Sequence, residues 1–168
     1  MLNRWAVVTD NLAEGVSPRR ALEPLAPAQP FTVAQRGQAT VIAPESYRRY
    51  DRLGDAVASV DPAAFAAAYR ALHPVLEAAW RTLGDPHGSL DAVAARALAR
   101  LAAAPVVEGD VEVTPAGPVL YLFADPALEA RDGVDKHLLR MGPRNARIVR
   151  AKAAALQAAL GLTPAPGR

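Results

Sequence analysis

Apolar residues recur along this chain at intervals of three and four for most of its length. Leu2, Trp5, Val8 and Leu12 keep that spacing and Gly15 follows, which predicts a short amphipathic helix over residues 2–14. The periodicity then stops. Between residues 17 and 30 the chain carries Pro18, Pro24, Pro27 and Pro30, which remove backbone donors and favour extended geometry. This predicts a strap over the surface, held down by Leu22 and Leu25. Phe31 to Gln35 and Ala39 to Ala43 flank the tight turn Arg36-Gly37, the pattern of a β-hairpin, which Pro44 ends.

Helical spacing returns with Tyr47, Tyr50, Leu53, Val57 and Val60, predicting one helix from Glu45 to Ser59. Asp61-Pro62 is an N-cap acid before a first-turn proline, and the helix it opens carries Phe65, Tyr69, Leu72, Leu76, Ala79 and Leu83 on one face up to Gly84. Pro74 within that stripe predicts a kink. Asp85-Pro86-His87-Gly88 reads as a turn, and Ser89 caps a helix with the stripe Leu90, Val93, Ala97, Leu98 and Leu101, stopped by Pro105. Val106 to Val113 and Val119 to Phe123 are β-branched and apolar around a proline- and glycine-bearing loop, so a second hairpin is expected, paired with the first in one small sheet. After Asp125-Pro126 the chain is expected to be helical, broken at Gly142-Pro143 and ended by Gly161. The elements sum to a mainly α fold with minor β: about five to seven helices and two short β-hairpins in a single globular domain over residues 1–160, with a disordered tail over 161–168.

Composition narrows the core. Apolar residues are 51% of the 168 positions, but many are alanine and aromatics are only 5%, so Trp5, Phe31, Tyr47, Tyr50, Phe65, Tyr69, Trp80, Tyr121 and Phe123 are expected to anchor it. The formal charge of +2 argues against a nucleic-acid partner. Cysteine is absent, which excludes disulfides, thiolate metal sites and cysteine nucleophiles. No run of eighteen apolar residues occurs, and the N-terminal stretch is too short and polar for a signal peptide.

Candidate chemistry is concentrated between Tyr121 and Arg150. His73, His87 and His137 have no partner at metal-ligand spacing, and no nucleophile elbow, P-loop or dinucleotide fingerprint is present, so neither metal nor cofactor is expected. Asp125 and Glu129, four apart, suit either an acid and base pair of the glycosidase kind or a helix cap with a dipole-complementing acid. Lys136, Arg140, Arg144, Arg147 and Arg150 are spaced by four, four, three and three; the break at Gly142-Pro143 turns that stripe into a corner, with Asn145 near the amides of a helix start. An ion-pair network or an anionic ligand held at the corner both fit. Tyr47-Arg48-Arg49-Tyr50-Asp51 could bind single-stranded nucleic acid, but helical spacing puts the tyrosines on a core face and the arginines on a solvated one.

The run from Tyr121 to Glu129, Y-L-F-A-D-P-A-L-E, and the run from Lys136 to Asn145, K-H-L-L-R-M-G-P-R-N, resemble a bacterial family catalogued as domain of unknown function 3014. Thr9 to Leu12, Ser46 to Asp51, Tyr69 to Pro74 and Leu83 to Pro86 extend the likeness over about Leu2 to Leu160. The resemblance transfers no catalytic residue. It implies a proteobacterial envelope setting at the periplasmic face of the inner membrane, with an N-terminal membrane-spanning helix and a proline-rich linker ahead of this domain. Neither is in the present chain, so on this reading it is a truncated or atypical member. The chain departs from the family pattern at Arg131-Asp132-Gly133-Val134-Asp135 and in the alanine-rich stretch from Ala94 to Ala104. The expectation is a non-enzymatic binding module with a polar groove of Asp125, Glu129, Lys136, Arg140, Arg144 and Asn145, open to an envelope protein or an anionic ligand. An envelope polymer hydrolase using Asp125 and Glu129 is the alternative, and weak nucleic-acid binding through the basic corner is a third.

Overall fold

The helices from Asp61 onward begin at side chains that cap them. A computed structural model describes residues 2–82, 88–118 and 120–163. Its elements are α1 (Leu2–Ala13), β1 (Val33–Arg36), β2 (Ala39–Ile42), α2 (Pro44–Arg48), α3 (Asp51–Ser59), α4 (Pro62–Arg81), α5 (Leu90–Ala103), β3 (Val113–Pro115), β4 (Tyr121–Phe123), α6 (Pro126–Glu129) and α7 (Gly133–Leu160). The chain is therefore mainly α with minor β. Asp61, Ser89 and Asp125 each cap as their spacing predicts, accepting from the amides of Ala64 at 2.7 Å, Ala92 at 3.2 Å and Ala127 at 2.8 Å. Gly161 closes α7 in the left-handed region, with Gly161 donating to Ala158 and Leu162 to Gln157. The expected turn at residues 85–87, His87 within it, and the tail from 164 onward lie outside the described residues.

Several boundaries differ from the periodic reading. The expected helix over 45–59 is two, because after Arg49 N, which still donates to Glu45 O, Tyr50 N donates back to Tyr47 O in a tighter turn. The strap holds two 3-10 turns, Pro18–Arg20 and Glu23–Leu25; Pro18 is its buried residue, whereas Leu25 is exposed. The first strand of the second hairpin is confined to Val113–Pro115, and residues 106–111 are irregular. The hairpins form two separate two-stranded sheets rather than one. A single bridge between Val41 and Glu112 and a 3.0 Å bond from Ile42 N to Val111 O hold them side by side. A further break at Asp132 separates α6 from α7: its side chain accepts from Asp135 N at 2.9 Å, while Gly133 and Val134 donate to Gly15 O.

On α4 the core face is rotated from the expected stripe. Ala66, Tyr69, Leu76 and Trp80 are buried, while Phe65 and Leu72 are 38% and 53% exposed. Alanine on every side leaves the apolar pattern undecided, so the aromatic side chains with polar ends choose the face. Trp80 donates its indole proton to Gly88 O at 3.0 Å and Tyr69 its hydroxyl to Asp91 at 2.6 Å. Phe65 is thus not a core anchor.

Three apolar clusters fill the interior. Trp80, Tyr69, Leu76, Leu90 and Val93 form one between α1, α4 and α5. Tyr50, Val134, Leu138 and Met141 form the next, with Leu12 packed against both. Ile42, Val111, Val113, Phe123 and Leu139 form the third, under the two hairpins. Helix α7 contributes to the second and third from the adjacent Leu138 and Leu139, which point about 100° apart, and then bends at Gly142, where φ is 81° and ψ is 166°. A Cβ there would lie 2.5 Å from the Tyr47 ring. Both the backbone conformation and the close approach require glycine. Gly142→Ala is expected to destabilise the fold by about 3 kcal/mol or more in chemical denaturation. Tyr47 carries the opposite expectation, since its buried hydroxyl has no hydrogen-bond partner among the described residues. Tyr47→Phe keeps the ring and removes the unsatisfied group, so stability should be unchanged or rise by about 1 kcal/mol.

Candidate functional site

The bend at Gly142 divides the expected basic corner into two environments. After the bend, Asn145 is 1% exposed and its Nδ2 lies 3.0 Å from Met141 O, 3.0 Å from Asp51 Oδ1 and 3.3 Å from Tyr47 O. It clamps the break between α2 and α3. Gly54 makes room for it, as a Cβ there would meet Asn145 Oδ1 at 2.2 Å. Arg144 donates to Asp55 at 2.6 Å and to Asp51 at 3.4 Å, and Asp55 foremost holds its guanidinium above its ordinary pKa. Arg147 pairs with Glu108, and Arg150 donates to Ala102 O. The later cations of the stripe therefore bind neighbouring elements of the chain itself.

Before the bend, Glu129 Oε2 accepts from Phe123 N at 2.9 Å and Oε1 from Lys136 Nζ at 2.8 Å. The Lys136 hydrogen bond is the main cause holding the Glu129 carboxyl below its usual range. Asp125 caps α6 from an exposed position. The Arg140 guanidinium lies 4.5 Å over the Phe123 ring and donates to Tyr121 O at 3.0 Å and Lys136 O at 3.4 Å. Of the six candidate residues, the structure thus gathers Glu129, Lys136 and Arg140 on one side of the bend and Arg144 and Asn145 on the other, with Asp125 at the outer end of α6.

Arg140 has companions that helical spacing did not predict. Because α2 ends at Arg48, Arg49 turns inward instead of facing solvent; its guanidinium lies 5.4 Å from the centre of Phe31 and 5.0 Å from that of Tyr50. The Tyr50 ring meets His137 edge-on at 5.8 Å, and Ser17 Oγ is 3.5 Å from His137 Nδ1. Burial first, then the charges of Arg19, Arg140 and Arg49, push His137 down to about 4. The charges of three guanidiniums, from the strap, the α2–α3 break and α7, thus act on one imidazole, Arg49 and Arg140 half-buried and Arg19 exposed. Among the described residues, no carboxylate makes a salt bridge with any of the three. Such a cluster can receive an anion. Arg49 was visible in sequence as an arginine between two tyrosines; Arg19 carried no signal.

A family profile described as "Protein of unknown function (DUF3014)" matches residues 1–157. The chain belongs to this family. No curated protein and no solved structure matches it. In this DUF3014 chain the L-L-R-M-G-P-R-N run is the bend with its two flanks: Leu138 and Leu139 in separate core clusters, Gly142 beneath Tyr47, Asn145 as the clamp.

Elsewhere the DUF3014 domain has a cleft of about 430 Å³ lined by Tyr69, Arg70, His73, Pro74, Asp91, Leu160 and Leu162. His73 Nε2 lies 3.1 Å from Asp91 Oδ1, the oxygen that also accepts from Tyr69. Burial and that hydrogen bond push the Tyr69 phenol well above its ordinary range. Sequence spacing could not reveal this trio, since its carboxylate comes from a different helix. It has no serine, threonine or cysteine in its lining to act as a nucleophile.

The depressed His137 pKa makes stability depend on pH with a definite sign. The unfolded chain takes up a proton as pH falls through about 6.5, whereas the folded imidazole stays neutral to about 4. This contribution is complete above 6.5 and is lost as pH falls from there toward 4. Unfolding free energy should be roughly 2 kcal/mol lower at about pH 5 than at about pH 8 from this group alone. In His137→Gln that part of the slope should vanish; a variant with the wild-type slope would exclude His137 as its source.

Proposed function

We propose that the protein is a non-enzymatic binding module that holds an anionic group, carboxylate or phosphate, of a cell-envelope partner at the corner formed by Arg19, Arg49 and Arg140. One observation carries this reading: the charges of Arg19, Arg49 and Arg140 all act on His137, Arg49 and Arg140 half-buried and Arg19 exposed, and none of the three has a salt-bridging carboxylate among the described residues, whereas Lys136, Arg144 and Arg147 each do. Like charges held together in a partly desolvated place repel, and an incoming anion relieves that repulsion. Stacking on Phe31, Tyr50 and Phe123 keeps Arg49 and Arg140 rigid, which lowers the entropy lost on binding. The envelope setting comes from the family resemblance.

The aromatic faces at the corner favour a compact anion over a nucleobase. Phe31 and Tyr50 already face Arg49, and Phe31 also meets Tyr121 at 5.6 Å, so no ring stands free as a stacking platform. The hydrolase alternative has no comparable support: Asp125 accepts the Ala127 amide, and both Glu129 oxygens have donors.

The test is titration of the full chain with inorganic polyphosphate and with poly-glutamate, at low and at physiological ionic strength. Arg19→Gln and Arg140→Gln should each weaken binding about 5- to 20-fold, and Arg52→Gln, on the exposed side of α3, should leave it unchanged. Affinity should fall as salt rises. Equal losses from Arg52→Gln and Arg19→Gln would mean diffuse surface charge and overturn the reading.

A further inference from the structure

The cleft between α4, α5 and the end of α7 holds two opposite charges that do not meet. Arg70 and Asp91 both line its volume of about 430 Å³, yet no Arg70 nitrogen comes within 4.0 Å of an Asp91 oxygen. Among the described residues Arg70 pairs with no carboxylate and Asp91 with no lysine or arginine. Each keeps atoms for a ligand. Arg70 donates to Ala159 O through Nη2 at 2.7 Å, which leaves its Nη1 and Nε without a partner among the described residues. Asp91 Oδ1 accepts from Tyr69 and lies 3.1 Å from His73 Nε2, which leaves Oδ2 free on a side chain that is 46% exposed. Tyr69 and His73 thus position the carboxylate. Arg70 and His73 are three apart on α4 and stand side by side, so the gap from guanidinium to carboxylate is the width of a small molecule.

Two further features define the cleft. Pro74 has no amide proton, so the Arg70 carbonyl lacks its ordinary helical donor and is a further acceptor in the same stretch of α4. Leu160 and Leu162 form an apolar wall with the Pro74 ring, and Leu162 is turned back by Gly161, its amide donating to Gln157 O at 3.2 Å. We propose that this cleft binds a zwitterionic α-amino acid with an aliphatic side chain. Its ammonium takes Asp91 Oδ2 and the Arg70 carbonyl, its carboxylate takes the Arg70 guanidinium, and its side chain lies against Pro74, Leu160 and Leu162.

Charge selects that class of ligand. A simple amine is attracted by Asp91 and repelled by Arg70, and a simple carboxylate meets the reverse; a zwitterion is attracted by both. A chelated metal ion does not fit, because His73 turns Nε2 toward Asp91 and its second nitrogen faces away from that carboxylate. Size agrees: ligand clefts span roughly 300–1,000 Å³, and this one is at the small end. Both charged groups are partly solvated, so the dissociation constant is on the order of 0.1–1 mM. The cleft shares no residue with the arginine corner and stands or falls independently of anion binding there.

Titration of the isotope-labelled full chain with L-leucine to about 20 mM, followed by amide NMR shifts, tests the site. The shifts should saturate and centre on the residues of the cleft. With the same chain, 3-methylbutylamine and 4-methylpentanoate, each lacking one charge, should bind at least about tenfold more weakly, and so should glycine, which lacks the side chain. Arg70→Gln, at an exposed position, should weaken leucine about tenfold and strengthen the amine, because it removes an attraction from one and a repulsion from the other. No saturable shift by about 20 mM, or an amine or acid that binds the unaltered chain as tightly as leucine, overturns the proposal. So does Arg70→Gln if it weakens leucine and the amine alike, since that marks a structural role for Arg70. Glycine binding as tightly as leucine rejects the apolar wall as the side-chain site.

Discussion

The positive φ of Gly142 is the constraint on which the rest of the structure depends. Without it, α7 would be one straight rod and its second arm would not turn toward α2 and α3. With it, the first arm sets Leu139 under the sheets and Leu138 and Met141 in the helical interior, and the second arm turns so that Asn145 meets α2 and α3. The Tyr47 ring occupies the space where any other residue would carry its Cβ, so bend and packing specify each other. Pro143 follows where its missing amide proton suits the start of a new helical arm. The most distinctive run of the sequence is thus explained first by architecture.

That architecture also decides which cations remain available. Every basic residue on the second arm from Arg144 to Arg150 is bound to an element it holds in place: Asp51 and Asp55 of α3, Glu108 after α5, the carbonyl at the end of α5. On the first arm Lys136 neutralises Glu129. Arg140, Arg49 and Arg19 remain without a salt-bridging carboxylate among the described residues, and their charges add to burial, the larger cause, in keeping the His137 imidazole neutral. Arginine suits this place for a physical reason. Its planar, weakly hydrated cation can lie over Phe123, Phe31 or Tyr50 while keeping donors for another group, which a lysine ammonium could not do as well.

Reading the chain by periodicity worked where the signal was local. Asp61, Ser89 and Asp125 cap as predicted because a cap needs only its own side chain and an amide two or three residues on. The first hairpin formed around Arg36-Gly37 for the same reason. It failed where neighbours in space competed. Tyr47 to Tyr50 keeps helical spacing, yet the ladder breaks there, where Tyr47 O accepts both from Tyr50 N and from Asn145, nearly a hundred residues away. On α4 the expected face lost to one chosen by Trp80 and Tyr69, since alanine on all sides leaves the apolar moment undecided. The candidate site was legible in the same measure: Glu129, Lys136 and Arg140 are neighbours on α6 and α7, but their grouping with Arg49 and Arg19 required the α2–α3 break and the strap.

By itself, then, the sequence determined the helical class, the caps, the two hairpins and the place where α7 bends, because each of these is written in residues at most a few positions apart. Tertiary structure alone decided which face of α4 is buried, which arginines have carboxylate partners, and that His73 and Asp91 meet. Those outcomes turn on distances between elements far apart in the chain. They are set by how the interior is filled, and no local spacing carries that information.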